Sequence, residues 1–199
     1  FSAHRADDEW IINTHEYPDL KYKLSGFAQE KNAKTVLAAV AELKKAGYRI
    51  PKEAVYSGFA RVAELTGLKG RWQVLQEKPK IVCDTGHNAH GIRYIVEQLK
   101  QEKHNRLHVV FGMVNDKDIA SVLAMLPRQA IYYFTRASVE RALNEETLAR
   151  QAASFGLEGN TFEDVSTAVN AAKENADEND FIFIGGSSFI VADALPLFK

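Results

Sequence analysis

The sequence predicts an α/β fold, with an open and mostly parallel sheet flanked by helices and preceded by a smaller segment. From Trp72 onward, short apolar runs alternate with stretches whose apolar residues recur at helical spacing. These runs are too continuously apolar for a half-exposed sheet, so both faces of the strands are expected to be covered. Four strands are predicted, at residues 80–83, 107–111, 130–134 and 181–184. Residues 72–75 are a candidate antiparallel edge strand, and the whole pattern is Rossmann-like.

Three helices are predicted between these strands from apolar residues at helical spacing. Their apolar faces consist of Ile92, Ile95, Val96 and Leu99, then Leu148, Ala152 and Phe155, then Phe162, Val165 and Val169. Thr161 and Asp164 have the spacing of a capping-box pair for the third helix. The acidic stretch at residues 174–180 is interpreted as a solvated helix end and turn.

The smaller segment before Trp72 has a different pattern. Strand-like runs at residues 10–12 and 20–24, separated by turn-forming residues, predict a small antiparallel sheet. A helical hairpin is predicted next, with apolar faces formed by Val36, Val40 and Leu43 and by Val55, Phe59 and Val62. Two glycines make residues 66–71 the predicted linker.

Composition argues against several classes of protein. Lys and Arg total 25 against 26 Asp and Glu, without a basic cluster, which disfavours nucleic-acid binding. The apolar runs are far shorter than the ~20 residues that span a bilayer, and the start lacks a secretory signal pattern. The single cysteine, Cys83, excludes an internal disulfide and is expected to be a buried core residue. We therefore expect a cytoplasmic protein and, since the chain starts at Phe1, a piece of a longer one.

Four loops that follow predicted strands are candidates for a ligand site, because open α/β sheets bind ligands beyond the carboxyl ends of their strands. In residues 84–88, Asp84 suits ribose hydroxyls and His87 suits an anion, although helix capping by Asp84 or Thr85 is the simpler interpretation. The other three loops carry weaker signals: a lysine in 112–118, two arginines in 135–141 and two glycines in 185–188.

Some familiar catalytic signals do not occur. The sequence contains neither a G-x-x-x-x-G-K-[ST] phosphate loop nor a G-x-G-x-x-G fingerprint, and residues 185–189 do not match a nucleophile elbow. Asp84, His87 and His90 have a spacing compatible with a metal-dependent hydrolase, but no further ligand is identifiable. A nucleotide-facing loop is therefore preferred to a metal site.

Six short motifs follow one another along the chain. They are 24–32 (L-x-G-x-x-Q-x-x-N), 70–73 (G-R-W-Q), 84–88 (D-T-G-H-N), 116–118 (D-K-D), 141–142 (R-A) and 186–189 (G-S-S-F). In order and spacing they resemble the folylpolyglutamate synthase (dihydrofolate synthase) branch of the Mur ligase family. The departures from that family's pattern are Ala28 for His, Lys69 for Pro, Gln73 for Glu and Thr85-Gly86 for Gly-Ala.

This resemblance implies an ATP-dependent ligase that adds glutamate to a folate through an acyl phosphate. It implies that residues 1–70 are the tail of a central ATPase domain and residues 71–199 a carboxy-terminal domain. The phosphate loop and the Mg2+ ligands are expected in an amino-terminal part that this chain lacks, so the fragment alone is expected to be inactive. The implied partners are ATP, folate, glutamate and the missing part of the ATPase domain.

The resemblance also implies roles for six residues. Gln29 and Asn32 would face adenine, Arg71 and Asp84 the ribose and phosphates, His87 the phosphate side as the catalytic residue, and Ser187 the incoming glutamate. Another Mur-type ligase, acting on a cell-wall precursor, would share the fold and chemistry, and a non-catalytic binding module is a further alternative.

Overall fold

The structure, a computed structural model, describes residues 1–6, 8–115 and 118–198. The chain divides into two units, Phe1–Arg71 and Trp72–Lys199. None of the described helices combines the length and the apolar character needed to cross a bilayer.

The first unit begins with a three-stranded antiparallel sheet in the order β1-β2-β3. Its strands are β1 Ser2–Ala6, β2 Glu9–Asn13 and β3 Leu20–Tyr22. Trp10 and Ile12 lie opposite Tyr22 and Leu20, and all four side chains are buried because they share one face of the pleat. The predicted antiparallel sheet is confirmed, and β1 adds a strand that the sequence did not single out.

Three helices pack beside this sheet: α1 Gln29–Lys45, α2 Lys52–Ala60 and α3 Val62–Thr66. In α2, Val55 and Phe59 are buried, and the Phe59 ring meets that of Tyr22 edge-on at 4.9 Å. The α1 helix differs from the predicted apolar face, since Val36 and Leu43 are 44% and 43% exposed. Its buried residues are Gln29 and Ala33.

The second unit contains a six-stranded sheet in the order β4-β5-β9-β6-β7-β8. The strands are β4 Gln73–Glu77, β5 Lys80–Cys83, β6 Leu107–Phe111, β7 Ile131–Thr135, β8 Gly159–Phe162 and β9 Phe181–Gly185. Among the described strands of this sheet, the β4–β5 pair is antiparallel and the other pairs are parallel, with a register irregularity between Val74 and Gln76. The predicted α/β fold and antiparallel edge are therefore confirmed, whereas β8 was not predicted because its sequence is polar.

Helices cover both faces of this sheet. They are α4 Ala89–Leu99, α5 Ile119–Leu123, α6 Glu145–Ala153, α7 Val165–Asn175 and α8 Ser188–Ala194. Buried residues of α4, α5 and α6 join one apolar cluster, and those of α7 and α8 join the other. Val109 of β6 belongs to the first cluster and Val110 to the second, which explains why the strand sequences are continuously apolar.

The start of α7 differs from the prediction. Asp164 is itself the N-cap, and its carboxylate accepts a hydrogen bond of 2.8 Å from the Thr167 backbone N–H. Thr161 and Phe162 belong to β8 instead. The capping-box interpretation is therefore wrong, because the helix begins three residues later than that pairing requires.

The acidic stretch at residues 174–180 is not wholly solvated. Asp180 is 3% exposed, and its carboxylate accepts hydrogen bonds from the backbone and side chain of Arg106, from the Asp177 N–H and from His108. Burial raises the pKa of Asp180, but these hydrogen bonds outweigh burial and hold the pKa at about 2. The prediction of a solvated turn is thus wrong for Asp180. Its hydrogen bonds connect the residues before β9 to the start of β6.

His108 completes this buried network. Its side chain is fully buried, and burial lowers its pKa although Asp180 opposes the shift. In the neutral ring, Nε2 donates to Asp180 at 3.2 Å and Nδ1 accepts from the Tyr133 hydroxyl at 3.0 Å. Both ring nitrogens of His108 are therefore paired.

Replacement of Asp180 by Asn should lower the free energy of unfolding by about 3 kcal/mol, because it leaves buried donors facing an amide instead of a carboxylate. Urea denaturation at pH 7 measures the loss. The control is Asp177→Asn, whose side chain is 83% exposed and also contacts Arg106, and which should cost less than about 0.5 kcal/mol. Equal losses in the two variants would contradict the importance of the buried carboxylate.

Stability should fall with acidification in two windows. In the unfolded chain His108 binds a proton near its usual pKa of 6.5, whereas the buried ring resists protonation, so stability decreases as the pH falls below 6.5. Asp180 adds a further loss between its usual pKa of 3.8 and its folded value of about 2. Denaturation from pH 7 to 5 should show a shallower dependence in His108→Gln than in the unmodified chain. An unchanged slope would show that His108 is not the responsible group.

Candidate functional site

The order of the strands in the second unit brings several loops together. The chain passes from β5 through α4 to β6 and later returns through α7 to β9, which lies between β5 and β6. The Asp84 N–H donates to the Ile184 carbonyl at 3.2 Å, and the Gly112 N–H donates to the Gly185 carbonyl at 3.3 Å. Three predicted ligand loops therefore lie side by side where the direction of the strand order reverses, the usual ligand position in open α/β sheets.

Glycine makes this close approach possible. Gly186 has a φ of +92°, and a Cβ there would lie 2.6 Å from the Gly112 carbonyl oxygen. The Phe111 ring lies 2.5 Å from the same position, so atoms of the protein itself leave no room for a side chain at Gly186.

Asp84 organises the loop after β5. One carboxylate oxygen accepts from the Gly86 N–H at 2.8 Å, and the other accepts from the Trp72 N–H at 2.7 Å. Trp72 has a φ of +49°, a conformation that is uncommon for a bulky residue. Asp84 thus joins the loop to the residue immediately before β4.

The N-cap of α4 is Asn88, whose side chain accepts from the Gly91 N–H at 2.8 Å. The simpler interpretation of Asp84 or Thr85 as the helix cap is therefore wrong. Because the cap lies further along the chain, the Asp84 carboxylate accepts hydrogen bonds in the turn before the helix instead.

His87 has a defined orientation in this turn. It is partly exposed, and its Nδ1 lies 3.0 Å from the Thr85 carbonyl oxygen. A carbonyl only accepts, so Nδ1 carries the proton and Nε2 is the ring atom that can accept a proton or, once protonated, donate to an anion.

The proposed three-residue metal site does not form. The oxygens of Asp84 are turned toward backbone amides, His87 contacts Thr85, and the His90 ring packs edge-on against Tyr94 at 5.3 Å. Across the described residues, no group of three or more His, Cys, Asp and Glu side chains could hold a metal ion. The alternative of a metal-dependent hydrolase using Asp84, His87 and His90 is therefore wrong.

Cys83, immediately before this turn, is fully buried on β5. Burial raises the pKa of its thiol to about 12, so the sulfur remains a protonated thiol. The expectation of a buried core cysteine is confirmed.

Ser187 lies on the loop after β9. It is 2% exposed, and its hydroxyl oxygen caps α8 by accepting from the Phe189 N–H at 3.2 Å. The loop position agrees with the sequence prediction, and the contact with glutamate stays a prediction.

The remaining loops contribute less. Asp116 and Lys117 lie outside the described residues, so the predicted lysine near phosphate stays a prediction. Arg136 donates from Nε to the Glu163 carbonyl at 3.2 Å, and the Arg141 guanidinium lies over the Phe189 ring. Both arginines of the loop after β7 thus make contacts within the protein.

In the first unit, two of the predicted site residues meet at the start of α1. Asn32 donates from Nδ2 to Oε1 of Gln29 at 3.0 Å, and the Tyr22 hydroxyl donates to the same oxygen at 3.3 Å. Gln29 is 5% exposed, whereas Asn32 is exposed. The pKa of Tyr22 is raised by burial, and the charge of Arg71 opposes that shift. Sequence reasoning did not identify Tyr22, since nothing in its local pattern distinguishes it from any other strand tyrosine.

The chain is similar to known proteins along most of its length. A family model described as "Mur ligase, glutamate ligase domain" matches residues 70–188. The dihydrofolate synthase/folylpolyglutamate synthase of Escherichia coli (strain K12) is 31% identical over 84% of this chain and 38% of its own length.

Solved structures agree with this relationship. A Mycobacterium tuberculosis folylpolyglutamate synthase complexed with ADP and AMPPCP superposes with a TM-score of 0.80 at 29% identity, over 92% of this chain and 42% of that one. A bifunctional folylpolyglutamate synthase/dihydrofolate synthase with Mn, AMPPNP and L-glutamate bound gives a TM-score of 0.68 at 30% identity, over 81% of this chain and 38% of that one.

This chain spans less than half the length of these relatives. The family match covers more than half of this chain and includes the Asp84–Asn88 turn. The chain therefore belongs to the Mur ligase family, with its glutamate ligase domain at residues 70–188.

Proposed function

We propose that this chain is part of an ATP-dependent ligase that forms an amide between a folate carboxylate and the amine of glutamate. The observation that carries the proposal is the turn formed by Asp84 and His87 at the reversal point of the sheet in a glutamate ligase domain. The names of the relatives, and the ADP, AMPPCP, AMPPNP and L-glutamate in the neighbouring structures, support it.

The reaction consists of two transfers. The folate carboxylate attacks the γ-phosphorus of ATP and releases ADP; the amine of glutamate then attacks the acyl phosphate and releases inorganic phosphate. Both depend mainly on positioning and on neutralisation of phosphate charge. We assign His87 as the catalytic residue on the phosphate side, because its Nδ1 proton is held by Thr85 while a protonated Nε2 can donate to a phosphate oxygen.

Asp84 is proposed to act at the ribose as well as within the turn. Its carboxylate already accepts from the amides of Trp72 and Gly86, which hold it in place on the turn. A carboxylate oxygen is also a suitable acceptor for ribose hydroxyls. Ser187 is proposed to meet glutamate through its hydroxyl proton, since the hydroxyl oxygen already caps α8.

In the first unit, Gln29 and Asn32 are proposed to face the adenine and Arg71 the phosphates. We assign residues 1–70 to the tail of the ATPase domain and residues 71–199 to the carboxy-terminal domain. The phosphate loop and the Mg2+ ligands are proposed to lie in the preceding part of the longer ligase.

The full-length ligase should release ADP when ATP, glutamate and a folate are all present. Cell-wall precursors with amino acids should give no such release, which separates this function from that of another Mur-type ligase. The 199-residue chain alone should be inactive in the same coupled assay. Activity with cell-wall precursors only would reject the folate assignment, and ligation by the isolated chain would reject the need for the preceding part.

His87→Ala in the full-length ligase should lower kcat about 100-fold, because an acid or charge-stabilising group is lost from the reacting phosphate. The free energy of unfolding should change by less than about 0.5 kcal/mol, since the ring makes one surface contact. His90→Ala is the matched control, three residues away with an exposed ring, and should keep its kcat. If the two alanine variants turned over alike, the role of His87 would be refuted.

A further inference from the structure

The side-chain oxygen of Gln29 is held by two donors from different elements. Tyr22 reaches it from β3, and Asn32 reaches it from one turn further along α1. A carboxamide oxygen has two lone pairs, so these donors fill its acceptor capacity. The part of Gln29 that remains for a ligand is the amide nitrogen with its two hydrogens.

Of these two donors, Tyr22 is the better fixed. Its side chain is 6% exposed, its ring packs edge-on against Phe59 at 4.9 Å, and its strand pairs with Trp10 of β2. Asn32, by contrast, is exposed on the surface of α1 and is free to hydrogen-bond water. A tyrosine hydroxyl is protonated at neutral pH, and burial raises the pKa of Tyr22 further, so the hydroxyl keeps its donor role.

We infer that Tyr22 is a positioning residue, which fixes the carboxamide of Gln29 so that its NH2 group meets a ring-nitrogen acceptor of the bound adenine. The inference rests on the proposed nucleotide contact of Gln29 and adds a residue that acts through it. Without the Tyr22 hydroxyl, the amide is free to turn its oxygen toward the base, where an acceptor would face an acceptor. The loss would appear in ATP binding, and the chemical step would be unaffected.

Tyr22→Phe in the full-length ligase tests this, since it removes one oxygen and keeps the ring packing. The KM for ATP should rise roughly fivefold, as expected for one neutral hydrogen bond. The kcat and the KM values for folate and glutamate should stay unchanged. Tyr17→Phe is the matched control, because Tyr17 belongs to the same core cluster and its hydroxyl accepts from Lys44, away from Gln29. A similar rise in the KM for ATP in both variants would show a general structural effect and overturn the inference.

A double-mutant cycle separates this inference from the proposed function. Gln29→Ala should raise the KM for ATP, and adding Tyr22→Phe to it should have no further effect, because the group to be positioned is gone. If Tyr22→Phe raises the KM equally in both backgrounds, the positioning role is wrong while the Gln29 contact stands. If Gln29→Ala leaves the KM unchanged, the adenine contact itself is wrong, and the inference fails with it.

Side-chain amide NMR of the 199-residue chain gives a readout that does not depend on ligase activity. The Gln29 NH2 signal, assigned by its disappearance in Gln29→Ala, should move toward solvent-exposed values in Tyr22→Phe and stay in place in Tyr17→Phe. An unchanged Gln29 NH2 signal in Tyr22→Phe would overturn the positioning role of Tyr22. This result would hold whichever substrate the ligase uses.

Discussion

The placement of β9 between β5 and β6 is the constraint on which the second unit depends. This strand arrives last in the sheet, yet it completes parallel ladders with both neighbours through Phe181–Gly185. Its side chains are buried on both faces, and each large apolar side chain so buried contributes roughly 1.5–3 kcal/mol. In the described strand order β9 joins the two outer parts of the sheet, so the turns after β5, β9 and β6 lie side by side when β9 is in place.

The residues at the two ends of β9 have different structural roles. Just before its start, the buried carboxylate of Asp180 accepts hydrogen bonds from Arg106 and His108. These hydrogen bonds compensate for the free-energy cost of removing the carboxylate from water. At its end, glycines let the backbone approach that of the neighbouring loops. The polar network lies at the end of the sheet opposite the candidate site. The buried charge that stabilises the fold is therefore separate from the groups proposed to bind ligands.

Sequence reasoning succeeded where the pattern is local and continuous. The predicted bounds of β5 and β6 match the structure because each is an uninterrupted apolar run, and α4 follows from its spacing of Ile92, Ile95 and Leu99. It failed where partners are distant or locally indistinguishable. Asp180 is one of several acidic residues in a row, and only its proximity to Arg106, 74 residues away, makes it a buried group. The β8 strand, with the sequence Gly-Asn-Thr-Phe, carries no apolar signal.

The candidate site shows the same division. The position of the turn at Asp84 and His87 after a buried strand was predictable. The contact of Asp84 with Trp72 was not, because an edge strand at residues 72–75 does not by itself imply the backbone conformation of Trp72, whose φ is +49°. The Tyr22–Gln29 contact likewise depends on how β3 meets the start of α1. The motif at residues 24–32 includes Gln29, which is proposed to contact a ligand. It does not include Tyr22, which is proposed to orient Gln29.

The two outermost strands of the six-stranded sheet have a consequence for association between chains. An open sheet offers unpaired N–H and C=O groups along its rims, and a long flat rim is a template for aggregation. Here one rim is β4, with an irregular register at Val74 and Gln76, and the other is the four-residue β8, which begins with glycine. A strand of another molecule would therefore meet an irregular edge at β4 or a short polar edge at β8. Neither edge is suited to extending the sheet into a neighbouring molecule.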